Sequence, residues 1–203
     1  MTKYLRFINI EAKMEPELVL DMQEFLKELT SAVKSILPSQ RSQVLWYDSI
    51  IENGDLSWQN ALNEKNDCFF RACDGIFTNY FWEDKRLDEC KRNAKDRCQD
   101  VYVGVDVFGR CKEQPGELQS YIPVAKALRA GLSAAVFAPG WTFEHNKDSE
   151  SYESYSEAQR NLWAASPTEG IGMILGKKPI ACELPFYTSF NQGNGHAVRN
   201  SNL

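Results

Sequence analysis

Histidine is nearly missing from this chain: His145 and His196 are the only two in 203 residues. A Ser-His-Asp triad needs a central histidine, and both of these fall in loop-like stretches late in the chain. The six cysteines (Cys68, Cys73, Cys90, Cys98, Cys111 and Cys182) form no C-x-x-C pair. With so few histidines, no zinc pattern can be assembled from them, and they read as reduced thiols. G-x-S-x-G and H-E-x-x-H do not occur. No apolar run approaches the ~20 residues of a membrane-spanning helix. Lys3, Arg6 and Glu11 interrupt the start, where a secretory signal would be apolar. Basic residues are outnumbered, 23 against 28 acidic, for a net charge of -5. A nucleic-acid or anionic-membrane partner would call for a basic face, so both are excluded. These absences fit a reducing, cytoplasmic setting, with no metal or other cofactor expected.

What the chain does carry is a repeated kind of strand. Tyr4-Leu5-Arg6-Phe7-Ile8 is a short apolar run that leads into Asn9-Ile10-Glu11. Residues two apart on a strand face the same side, so Asn9 and Glu11 are expected to project together from its C-terminal end. Four later stretches also end in polar or aromatic residues: 44–49, 75–80, 101–108 and 134–141. Helical patterns separate them. Leu18, Met22, Phe25, Leu26, Leu29, Val33 and Ile36 recur at three- and four-residue steps after Glu15-Pro16-Glu17, and Pro38 stops the pattern. Residues 56–66 read as a second helix, with Trp58 and Leu62 on one side. Residues 83–97 form a charged helix anchored by Leu87, Cys90 and Ala94, and 118–130 one closed by Gly131. A polar loop over 145–156 and a short helix over 157–165 follow. From Pro167 onward, glycines and prolines punctuate strand-like pieces.

Strand and helix alternation implies a parallel sheet with crossover helices. The repeat of about 30 residues matches the unit of a (β/α)8 barrel, which places its chemistry at the C-terminal strand ends. There the chain sets Asn9, Glu11, Tyr47, Asp48, Asn79, Trp82, Asp106 and Trp141. Two chemistries are open. One is a pair of carboxylates drawn from Glu11, Asp48 and Asp106, as in ordinary glycosidases. The other is one acid and one amide, suited to a sugar whose 2-acetamido oxygen attacks its own anomeric carbon and forms an oxazoline. Glu11 then protonates the leaving oxygen, Asn9 orients the acetamido group, and Tyr47 adds a phenol hydrogen bond. Glu11 must carry its proton at that moment, which calls for enclosure by neighbouring groups. The bland alternative is a solvated strand end, with Trp58 and Trp82 as core residues.

The wider wording resembles glycoside hydrolase family 85, the endo-β-N-acetylglucosaminidases. The resemblance rests on Asn9-Ile10-Glu11, Leu45-Trp46-Tyr47-Asp48-Ser49, Leu56-Ser57-Trp58-Gln59-Asn60, Asp74-Gly75-Ile76-Phe77-Thr78-Asn79-Tyr80, the 101–108 stretch and Phe137-Ala138-Pro139-Gly140-Trp141. Leu184-Pro185-Phe186 with Thr188-Ser189-Phe190 resembles the segment after that family's barrel. The motifs come in the family's order.

The resemblance implies retaining, substrate-assisted hydrolysis of the GlcNAc-β-1,4-GlcNAc core of N-glycans, glycopeptides or free oligosaccharides, without a cofactor. It makes Asn9 the oxazoline-stabilising amide, Glu11 the acid/base and Tyr47 the acetamido contact. Trp58 and Trp82 fall on aromatic positions near the cleft, and Asn79, Asp106 and Trp141 complete the expected substrate-binding set. The family carries about three strand-helix units ahead of the Asn-Ile-Glu strand. The expected fold is therefore an incomplete α/β TIM barrel, about strands four to eight, over 1–166. Residues 167–203 are expected to form a β-rich extension or the start of a following domain. Unpaired barrel edges would favour self-association. The alternative function is a truncated, inactive product with at most weak glycan binding. A chitinase-type enzyme is disfavoured because no D-x-x-D-x-D-x-E strand is present.

Overall fold

A computed structural model describes residues 4–36, 42–145, 152–163 and 170–175. Five strands make one sheet in the order β1 (Tyr4–Ile8), β2 (Ser42–Tyr47), β3 (Gly75–Thr78), β4 (Val101–Asp106) and β5 (Ser133–Phe137). All four pairings are parallel. Sequential order with every crossover carried by helix is what the strand-helix alternation dictates. The central strands β2 to β4 are largely buried along their length, as near-continuous apolar strands should be. The outer two are more open: Phe7 in β1 and Phe137 in β5 are exposed.

Helix α1 (Pro16–Ile36) buries a stripe of Val19, Met22, Leu26, Leu29 and Val33 against β2 and its neighbours. The steps are the expected three and four, and Met22, Leu26, Leu29 and Val33 lie on the face the sequence suggests. Leu18, Phe25 and Ile36 point outward. Apolar residues on two sides of a helix leave its rotation to packing. Pro38 lies outside the described residues.

The largest departure follows β2. Residues 56–66 form a loop that opens on an isolated bridge between Ile50 and Leu56, and the helix there (α2) runs only over Asp67–Ala72. Backbone N–H groups at Gln59 and Asn60 are taken by the Asp48 carboxylate, and Asn60 has φ +58°. N–H groups bound to a side chain 11 and 12 residues back cannot also close helical turns. Phe69 of α2 stacks on Trp46 at 4.3 Å, and both are fully buried.

Helix α3 (Asp84–Ala94) packs Leu87, Cys90 and Ala94 inward, the three anchors expected of it. A 3-10 turn (Lys95–Asp100) leads into β4. Another (Glu117–Ser120) precedes α4 (Tyr121–Arg129), so the helix starts later than Leu118. Gly131, at φ +80°, ends it in the left-handed conformation glycine tolerates. Helix α5 (Trp141–His145) occupies the end of the expected fifth strand, and α6 (Tyr152–Trp163) begins before Glu157.

Helix α7 (Ile171–Leu175) replaces the strand-like piece expected there. Its Ile171 joins Val105, Val107, Val124, Trp141 and Leu162 in a second core cluster beside β4. Residues 167–169 and 176–203 of the expected β-rich extension lie outside the described residues. Among the described residues, no helix is long and apolar enough to cross a membrane.

Candidate active site

The strand β1 ends at Ile8, and Asn9 and Glu11 follow it at the C-terminal rim of the sheet. The Asn9 amide Nδ2 donates to Glu11 Oε1 at 3.2 Å. The two side chains therefore converge, as the two-residue spacing requires. Both are exposed, so the enclosure expected around Glu11 is not supplied by the described residues.

Tyr47 closes β2, one strand over. Its ring meets Phe7 of β1 at 5.7 Å and Phe77 of β3 at 5.4 Å, both edge-on. The phenol donates to Asn79 Oδ1 at 2.9 Å, and Asn79 Nδ2 donates to Asn60 Oδ1 at 2.7 Å. Burial raises the phenol's pKa above its ordinary value, and electrostatic interaction with Tyr80, Asp48 and Glu11 adds to the shift. Tyr47 thus stays protonated, and Glu11 lies close enough to act on it electrostatically.

Asp48 holds this arrangement together. It is fully buried, and its carboxylate accepts from uncharged N–H groups: Gln59 N at 3.1 Å, Asn60 N at 2.7 Å, Asn79 N at 3.2 Å and Asn66 Nδ2 at 2.9 Å. Burial pushes its carboxyl above the ordinary range, while the hydrogen bonds from Gln59, Asn66, Asn79 and Asn60 pull the other way. One side chain therefore ties the end of β2 to the start of the segment after β3 and to the 56–66 loop. That loop presents Trp58 with 43% of its surface open to solvent.

The other expected site residues lie elsewhere. Trp82 is 1% exposed, and its indole N–H donates to the Gly104 carbonyl at 2.7 Å. It is a core residue in this arrangement and offers no open face. Asp106 is bound to Arg110 through Nε at 2.7 Å and Nη2 at 2.6 Å, and it caps the Phe108 and Arg110 N–H groups. Burial alone would raise the Asp106 pKa, but the Arg110 hydrogen bonds and charge outweigh it and hold the carboxyl below its ordinary range. Trp141 opens α5, stacks on His145 at 4.8 Å, and lines a separate cleft of about 750 Å³.

Asn9 and Glu11 thus form one hydrogen-bonded pair and Tyr47 and Asn79 another one strand over, with Glu11 near enough to Tyr47 to act on it electrostatically. Asp48 and Asp106 are both buried and accept several N–H hydrogen bonds, whereas Glu11 is exposed. The arrangement favours acid plus amide over two carboxylates. Reading the sequence missed Asn60, Asn66 and Arg110. The Gln59, Asn60, Asn63 and Asn66 run after Asp48 was the available signal. Such residues divert backbone hydrogen bonds from helix. Among the described residues, no group of three His, Cys, Asp or Glu could hold a metal.

A model of glycosyl hydrolase family 85 matches residues 6–198. The chain is 38% identical over 192 residues to the cytosolic endo-beta-N-acetylglucosaminidase of Gallus gallus, covering 93% of this chain and 24% of that protein. Against the Homo sapiens protein of the same name it is 37% identical over 199 residues, covering 96% of this chain and 25% of the other. Cytosolic endo-beta-N-acetylglucosaminidase 1 of Arabidopsis thaliana is 35% identical over 188 residues, at 93% and 26% coverage. The chain spans about a quarter of the length of these curated relatives. The crystal structure of the glycoside hydrolase domain of Endo-D from Streptococcus pneumoniae superposes with a TM-score of 0.57 at 21% identity, over 87% of this chain and 28% of that one. That likeness extends to the fold alone.

Proposed function

Since this chain belongs to glycosyl hydrolase family 85, we propose that it carries the acid, the amide and the phenol of an endo-β-N-acetylglucosaminidase acting on the chitobiose core of N-glycans. The five parallel strands then form part of a (β/α)8 barrel, with the site at its C-terminal rim. The relatives' names place them in the cytosol, and we extend that compartment to this chain.

The observation that carries the proposal is the Asn9–Glu11 hydrogen bond at 3.2 Å, set beside Tyr47. In the first step the protonated Glu11 gives its proton to the glycosidic oxygen as the C1–O bond breaks. The acetamido oxygen of the same sugar forms the new bond to C1, closing an oxazoline ring that keeps its N–H and so carries the positive charge opposite the Glu11 carboxylate. Asn9 holds the acetamido nitrogen, and Tyr47, fixed by Asn79, positions the rest of the group. In the second step the Glu11 carboxylate takes a proton from water. The oxygen of that water attacks C1, the oxazoline opens, and configuration is retained. No second carboxylate is needed, in keeping with the engagement of Asp48 and Asp106.

The test is hydrolysis of an N-glycopeptide by the intact protein, read by mass spectrometry. Glu11→Gln is expected to abolish release of the glycan, because the amide cannot supply the proton. Asn9→Gln is expected to cripple cleavage while retaining part of the reaction of a pre-formed oxazoline. Normal hydrolysis by either variant refutes the assignment. Glycan binding without turnover is a second reading, favoured by the exposure of Asn9 and Glu11 on an outer strand. Saturable glycan binding with no released product would select it.

A further inference from the structure

A phenol has one proton to donate, and the Tyr47 proton is committed inside the protein. It goes to Asn79 Oδ1 at 2.9 Å, and Asn79 Nδ2 in turn donates to Asn60 Oδ1 at 2.7 Å. Asn79 is 7% exposed, and both ends of its amide are engaged, so it faces the protein rather than a ligand. Turned over, its amide would set NH2 against Tyr47 and oxygen against Asn60. The Asn60 oxygen opposes that turn, because two acceptors would then face each other with no proton between them. Asn60 therefore sets the direction in which the chain of hydrogen bonds runs. Its own place is well fixed. The backbone N–H groups of Asn60 and Asn79 both donate to Asp48 Oδ2, at 2.7 and 3.2 Å, which holds the two residues side by side. Asn60 has φ +58°, in the left-handed region where asparagine is one of the few non-glycine residues commonly found.

We propose that Asn60 is a positioning residue: acting through Asn79, it keeps the Tyr47 proton on the protein side, so that the phenol offers the acetamido group only oxygen lone pairs. This inference rests on the hydrolase reading. The oxazoline ring closed in the first step keeps its N–H and carries positive charge. Hydrogen bonds in a chain polarise one another, so a phenol that donates to Asn79 is more electron-rich at its oxygen. That oxygen favours the positive charge as it develops. With the chain reversed, Asn79 Nδ2 would donate to the phenol oxygen. The phenol hydrogen, the positive end of the O–H dipole, would then point at the same ring and oppose the charge. The acetamido group before reaction is neutral, so the preference is felt in the transition state and hardly in the bound substrate. Removing Asn60 should therefore lower kcat and leave KM nearly alone.

Two variants of the intact protein separate the direction of the chain from the shape of the loop. Asn60→Gly removes the amide but keeps the left-handed backbone and its N–H bond to Asp48. On an N-glycopeptide it should lower kcat about tenfold, the weight of one hydrogen bond, with KM within about twofold of the parent. Asn60→Asp, ionised at neutral pH, offers Asn79 an acceptor and no donor, so the chain is forced to run from Tyr47 toward residue 60. It should recover most of the loss. Unchanged kcat in Asn60→Gly overturns the proposal, and so does an Asn60→Asp variant as slow as Asn60→Gly. The second measurement needs no substrate: NMR of the Asn79 side-chain amide. Its protons should exchange slowly with solvent in the parent and in Asn60→Asp, and rapidly in Asn60→Gly. Equal exchange in all three overturns the proposal. If the parent cuts no glycopeptide, the hydrolase reading fails, while amide exchange still decides whether Asn60 holds Asn79 against Tyr47.

Discussion

Replacing Asp48 with asparagine keeps the side-chain volume and removes one acceptor oxygen. Four N–H groups now converge on the two carboxylate oxygens: Gln59 N and Asn66 Nδ2 on Oδ1, Asn60 N and Asn79 N on Oδ2. An asparagine oxygen can serve two of them, and its NH2 group then faces the other two. Each buried donor left without an acceptor costs about 1–3 kcal/mol, so two cost about 2–6 kcal/mol. Removing a fully buried charge whose partners are all neutral returns part of that cost. The net expectation is a loss of about 3 kcal/mol. For a chain of this size that lowers Tm by roughly 6–12 °C. Calorimetry and urea unfolding measure it directly. Hydrogen exchange adds a local readout: the Gln59, Asn60 and Asn79 amides should lose protection ahead of those in the middle of β2. A variant within about 0.5 kcal/mol of the parent, with those three amides still protected, would refute the claim that Asp48 staples the Trp58 loop to the strand ends.

Three further outcomes follow from the same geometry. Gly104→Ala would place a Cβ 2.5 Å from the Thr78 carbonyl oxygen, and overpacking of that kind should destabilise by about 1–3 kcal/mol in urea unfolding. Asp106 has its folded pKa below the unfolded 3.8, so its stabilising contribution is present above that value and is lost as pH falls through the folded one. Arg110→Leu should therefore cost about 2 kcal/mol at neutral pH, a figure discounted because the guanidinium is half in water. The gap between the parent and this variant should close as pH drops below about 4, and a gap constant with pH would count against the pairing. Trp58→Ala should leave Tm within about 2 °C, because surface substitutions shift stability by less than ~0.5 kcal/mol. Loss of its stacking face should weaken glycan binding by roughly threefold to tenfold, measured by calorimetric titration.

The linear pattern of residues settled a good deal by itself. Alternating apolar runs and amphipathic stretches determine a parallel α/β sheet in sequential order, since each strand is followed by enough chain for a crossover. The Asn-x-Glu spacing determines that Asn9 and Glu11 meet at one strand end, because side chains two apart share a face. The scarcity of histidine and the missing motifs speak against a histidine triad and a zinc pattern without reference to any fold. These are short-range or counting properties, and short-range sterics are written into sequence.

Only tertiary structure decided what crosses between elements. The 56–66 segment has helical periodicity, yet Asp48 claims its N–H groups from a neighbouring strand, and propensity yields to a buried acceptor. Helix α1 carries apolar residues on two sides, and the core selects the Val19–Leu26 face over Leu18 and Phe25. The same logic divides the strand-end residues. Tyr47 closes on Asn79 beside the Asn9–Glu11 pair, while Trp82 turns inward to the Gly104 carbonyl and Asp106 closes on Arg110. Residue type placed all of them at the rim; which faced a ligand and which braced the sheet was fixed by partners 4 to 32 positions away in sequence.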